Sequence, residues 1–186
     1  MAKREKRTFL EFAHELLDKD KIDNFLDFIQ FLKNNQLVKE SQLTLTKSTS
    51  YSTMIHYTKD INGKICALNL NSIKRYKPDG SWSIAPNNIF FNAYENYVTD
   101  EKLQEFIINS INFIKCRGCD GSNCNGGGEH FGLGKDNLTI FGKNLKNVCN
   151  GSPLLIISPS GEALELAKKL VLTTKDIIID ISTNKT

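Results

Sequence analysis

Asn62-Gly63-Lys64-Ile65-Cys66-Ala67-Leu68-Asn69-Leu70 is the stretch that decides the fold class of this chain. Asn-Gly accepts positive φ at both central turn positions, which makes it the strongest short hairpin signal a sequence can carry. An apolar run of strand length follows it, and ahead of it Ile55, Tyr57 and Lys59 alternate with His56 and Thr58. That period of two suits a half-buried strand. The whole region from Gln42 to Phe91 is rich in Thr, Ser, Tyr and Ile, which fit a pleated surface. Pro78-Asp79-Gly80 supplies a second turn, leading into Ser81-Trp82-Ser83-Ile84. Such turns are too short for a parallel crossover, so the reading is a meander of three or four antiparallel strands. Cys66, flanked by Ile65 and Ala67, is expected to serve as a small buried hydrophobe. Trp82, Tyr57 and Tyr51 are expected to pack, with a groove on the sheet as the alternative.

Before Ser41 the period is helical. Thr8 and Glu11 have capping-box spacing. Phe9, Phe12, Ala13 and Leu16 then form one stripe, and Ile22, Phe25, Leu26, Ile29 and Leu32 form another. Asp18-Lys19-Asp20-Lys21 is expected to turn the chain between them, and Asn34-Asn35 to stop the second helix. His14 is read as a surface residue. After the meander, Thr99 is expected to cap a helix whose buried face is Leu103, Phe106, Ile107, Ile111 and Ile114. Strands are expected at 138–141 and 154–157. Ser158-Pro159 should then open a last helix with the stripe Ala163, Leu166, Ala167 and Leu170, and Ile177 to Ile181 should close the chain as a strand. The expectation is an α+β fold: an antiparallel sheet of about five to six strands with helices on one face, preceded by an N-terminal helical hairpin. Residues 1–40 form the helical segment and residues 41–186 the α+β part, together one compact unit.

Composition narrows the function classes. The chain has 186 residues, 40% hydrophobic and 24% charged, ordinary for a globular domain. Eleven Phe against one Trp point to a phenylalanine core. The net charge of +3 is too small to imply a polyanionic partner, and Lys3, Arg4, Lys6 and Arg7 alone exceed it. No apolar run approaches the roughly 20 residues needed to cross a bilayer, and the basic start has no apolar stretch behind it. A cytoplasmic protein is expected, with no membrane partner and no nucleic acid. Thiols stay reduced in that compartment, and five cysteines cannot all pair within one chain.

The one dense constellation is Cys116-Arg117-Gly118-Cys119-Asp120-Gly121-Ser122-Asn123-Cys124, inside a cysteine- and glycine-rich loop over residues 116–137. Seven of the twelve glycines lie between Gly118 and Gly134, too little apolar surface to order itself. Two cysteines two residues apart can aim their sulfurs at one centre. With Cys124 and the distant Cys149, four thiolates could surround a tetrahedral zinc; His130 is the alternative fourth ligand. Unliganded thiols in a glycine-rich loop are the second reading. A catalytic pair, Cys116 and Cys119, is the third: it follows a helix, whereas a redox pair gains its low thiol pKa at a helix start. A phosphate-binding loop fails because Glu129 stands five before Gly134, and Gly132-Leu133-Gly134 lacks the third glycine of a dinucleotide fingerprint.

The Cys116-x-x-Cys119 pair, Leu138-Thr139-Ile140-Phe141-Gly142-Lys143 running to Val148-Cys149, and Glu162-Ala163-Leu164 before Lys168-Lys169-Leu170 together resemble an uncharacterised family of small bacterial proteins with a C-terminal cysteine cluster. The likeness covers roughly residues 20–172. It implies no established activity and no catalytic residue, and it favours Cys116, Cys119 and Cys149 acting together. Gly126-Gly127-Gly128-Glu129-His130 departs from that pattern. The expected function is a non-catalytic module that binds a protein or small-molecule ligand and carries a structural zinc. A thiol redox enzyme or sensor using Cys116 and Cys119 is the alternative.

Overall fold

The computed structural model describes residues 8–38, 52–56, 63–71, 80–111, 135–149 and 153–183. The chain is mixed helix and sheet, α+β in class, and divides into two compact units. The first takes Met1–Ala85 and Ile156–Lys168, the second Pro86–Leu155 and Lys169–Thr186.

In the first unit, helix α1 spans Phe9–Leu16 and α2 spans Lys19–Asn34. The capping box is present: Thr8 Oγ1 accepts from the Glu11 amide at 3.1 Å, and the Glu11 carboxylate accepts from the Thr8 amide. The break between the helices is shorter than the run Asp18–Lys21. Asp18 is itself the N-cap of α2, accepting from the Lys21 amide at 3.1 Å, so Lys19 to Lys21 already belong to the first turn. A carboxylate at that point satisfies an unpaired amide and faces the positive helix end. At the far end Asn35 is the C-cap and Gln36 takes φ 59°. The Leu37 amide then donates to Leu32 O at 2.9 Å and the Gln36 amide to Lys33 O at 3.0 Å, a Schellman closure.

Strands β1 (Ser52–His56), β2 (Lys64–Asn71), β3 (Ser81–Pro86) and β6 (Ile156–Ile157) form one antiparallel sheet in the order β1-β2-β3-β6. β1 and β2 pair antiparallel as the hairpin reading expects, but Lys64 pairs with His56 and not with Ile61, the partner a two-residue Asn62-Gly63 turn would give it; residues 57–62 lie outside the described residues. Ile55 faces Cys66, and both are fully buried. Gly80 takes φ +64° in the turn entering β3. Beyond the pairs Ser83–Ile157 and Ile84–Ile156, the Ser158 amide donates to Trp82 O at 2.9 Å and extends the ladder. Trp82 packs rather than lining a groove. Its ring centroid lies 5.4 Å from that of Phe25 and 5.6 Å from that of Phe28, and Phe9 meets Phe25 at 5.9 Å. This aromatic row joins both helices to the sheet, but the expected phenylalanine core is not what forms: among the described residues Phe9, Phe25, Phe28 and Phe91 are the buried phenylalanines, and isoleucine and leucine make up most of the core. Consecutive residues are buried along β2 (Ile65, Cys66, Ala67, Leu68) and β3 (Ser81 to Ile84), so these two central strands are covered on both faces, whereas Met54 on β1 and Ile157 on β6 are exposed.

The second unit holds a 3-10 turn (Asn88–Ala93), α3 (Tyr94–Tyr97), α4 (Glu101–Asn109) and the strands β4 (Lys135–Ile140) and β5 (Lys143–Cys149). These two strands make a separate sheet, so among the described residues the six strands are split four and two, not gathered into one sheet. The cap of α4 is Asp100, not Thr99: its Oδ1 accepts from the Lys102 amide at 2.9 Å and the Leu103 amide at 3.3 Å. Leu103 and Ile107 are buried on α4, whereas Ile111 lies beyond the helix in a bridge to Leu154; Ile114 lies outside the described residues.

Helix α5 spans Glu162–Thr183 and corrects two expectations. Ser158-Pro159 does not open it. Ser158 takes φ 41°, and its hydroxyl accepts from the Trp82 amide at 3.2 Å, which ties it to β3. The helix begins after Gly161 (φ 53°). Nor do Ile177 to Ile181 form a strand. Leu164, Ala167, Leu170, Val171, Thr174, Ile177 and Ile178 are buried at helical spacing, and that burial overrides the strand preference of an isoleucine run. The expected stripe is rotated accordingly, with Ala163 and Leu166 only half-buried. Within the second unit Thr174 Oγ1 donates to Leu170 O at 2.8 Å. Its single proton is thereby committed, so Tyr94 must be the donor in the buried 2.8 Å Tyr94–Thr174 bond.

Candidate metal centre

The expected ligands are Cys116, Cys119, Cys124 and Cys149, with His130 as the alternative. Cys116, Cys119, Cys124 and His130 lie outside the described residues. Cys149 is the last residue of β5 and pairs with Lys135, the first residue of β4. It therefore stands at the open end of the hairpin, where the cysteine-rich segment joins β4.

The closed end of that hairpin is a two-residue turn between Ile140 and Lys143. Phe141 and Gly142 take φ 49° and 70°, the two positive values of a tight hairpin turn whose twist matches its strands. Phe141 therefore turns the chain and does not continue β4. The Phe141 amide donates to Glu95 Oε1 at 2.5 Å, which anchors the turn to α3. Thr139 Oγ1 donates to Asn144 Oδ1 at 2.7 Å across the strands. Leu138 pairs with Leu145 and Ile140 with Lys143, and a bulge between Asp136 and Leu138 resets the register before Cys149. The sequence reading missed β5 altogether. Its one signal was the glycine at 142, masked by a phenylalanine, which seldom accepts positive φ.

A second pairing constrains the same region. Ile111 bridges Leu154 in antiparallel sense, and the Leu155 amide donates to Ser110 O at 3.0 Å. Counted from that bridge, Cys116 stands five residues out along one arm and Cys149 five residues out along the other. Five residues reach at most about 18 Å when fully extended. The two cysteines are thus tethered at equal chain length to one fixed point.

The remaining candidates separate cleanly. Cys66 is fully buried on β2, and desolvation pushes its thiol up to about 12, so it is neither a thiolate nor a ligand at neutral pH. The structural role expected of it holds. His14 is exposed in the last turn of α1. His56 sits at the bulge ending β1, and its Nδ1 is buried without a hydrogen-bond partner among the described residues. Among the described residues no three His, Cys, Asp or Glu side chains gather as a metal would require, and no helix is long and apolar enough to cross a membrane. Comparison with protein-family models, with the curated proteins and with the solved structures gives no match, so the reading of this site rests on the chain's own residues.

Proposed function

We propose that the chain is a non-catalytic, cytoplasmic binding module for a protein or small-molecule ligand, with a structural zinc held by Cys116, Cys119, Cys124 and Cys149. The observation that supports this reading is the pair of registers around the cysteine segment. Ile111–Leu154 and Lys135–Cys149 hold its flanks, and both Cys116 and Cys149 are within five residues of the first bridge. The bridge shortens the loop that must close between Cys149 and Cys116 about threefold, which lowers its closure cost by about 1 kcal/mol before any metal arrives. Zinc bound by four thiolates, each at about 2.3 Å, would leave no open position for substrate or water. That is the chemistry of a clip, not of a catalyst.

Elemental analysis of freshly purified protein, with a parallel free-thiol count, tests the proposal. The expected result is one zinc per chain, lost on Cys149→Ser. Chelation should raise amide exchange in residues 135–149 and leave α1, α2 and the β1–β2 hairpin protected. Ligation requires deprotonated thiols, so zinc retention should fall as pH is lowered. Absence of metal together with four reactive thiols would overturn the proposal. Alkylation of Cys116 and Cys119 well below the ordinary thiol pKa of about 8.5 would instead identify a redox pair.

A further inference from the structure

We draw no further inference here: the strongest candidate, the outer edge of β1 in the four-stranded sheet with the exposed Met54 side chain, carries nothing because nothing in the structure shows what covers it.

Discussion

Replacing Thr174 by Val should destabilise the protein more than replacing Tyr94 by Phe, and combining the two should recover part of the loss. Both residues are fully buried, and their hydroxyls are 2.8 Å apart. Thr174→Val keeps the side-chain shape but sets a methyl where the Tyr94 O–H meets a hydroxyl. Facing a buried hydroxyl with a methyl, and losing the Thr174 bond to Leu170 O, costs about 2 to 3 kcal/mol. Tyr94→Phe removes the donor itself, while Thr174 keeps its bond to Leu170 O, so about 1 kcal/mol is lost. In the double variant no hydroxyl faces that methyl, and the cost should fall back to about 1 kcal/mol, a coupling of roughly 2 kcal/mol. The assay is equilibrium urea unfolding of all four proteins, followed by Trp82 fluorescence and by amide exchange in residues 169–183. A constant slope with denaturant would show that the midpoint shifts report stability. The diagnostic result is a sign: Tyr94→Phe destabilises the wild type but stabilises Thr174→Val. If it destabilises both backgrounds equally, the hydroxyls act independently and the assigned proton direction is wrong.

Gly142→Ala should cost about 1 kcal/mol, the left-handed backbone penalty alone, because a Cβ there meets nothing within 4 Å. Gly80→Ala should cost distinctly more in the same denaturation assay, since its Cβ would fall 2.9 Å from the Leu16 carbonyl oxygen; equal costs would refute the steric argument. Cys66, its thiol held near 12 by burial, should resist alkylation in the native protein at pH 8.5 and react on unfolding at the global rate, as mass spectrometry would read. The Asp100 carboxyl is held below its ordinary value by the amide of Leu103 first, with Lys169 and the Lys102 amide adding to the effect. Its contribution is present above the unfolded pKa and lost as pH falls through the folded one. The stability gap between wild type and Asp100→Asn should therefore be constant near neutrality and close below about pH 4; a gap independent of pH would exclude the charge.

What the sequence revealed followed how local each signal was. The capping box at Thr8, the two helical stripes and the buried Cys66 are settled by residues within one or two turns of each other, and all were legible. The last helix was not. Ile177 to Ile181 read as a strand in isolation, and only the buried line through Leu170, Thr174 and Ile178 makes them helical. Ser158 failed for a related reason: its hydroxyl is a fitting helix cap, but Trp82, 76 residues away, captures it. The β4–β5 hairpin went unseen because its turn is built from Phe141 and Gly142, and Phe announces no turn. For the cysteines, spacing could suggest convergence but not deliver it. The structure adds the position of Cys149 at the hairpin's open end, while the other proposed ligands lie outside the described residues.

The four-stranded sheet is interrupted in sequence: β3 ends at Pro86, and its neighbour β6 begins at Ile156. A chain emerging from the ribosome at about 5 to 20 residues per second would present β3 some 4 to 14 seconds before its last partner arrives. Throughout that interval the β3 edge, with the backbone groups that Ile156, Ile157 and Ser158 later engage, is open to any passing strand. Fragments that stop short of residue 156 should share that hazard and precipitate, even though they contain α1, α2 and three of the four strands. Vectorial synthesis is therefore the stage at which this architecture is most exposed to a chaperone or to its own neighbours, and soluble yield should depend on how quickly the segment carrying β6 follows.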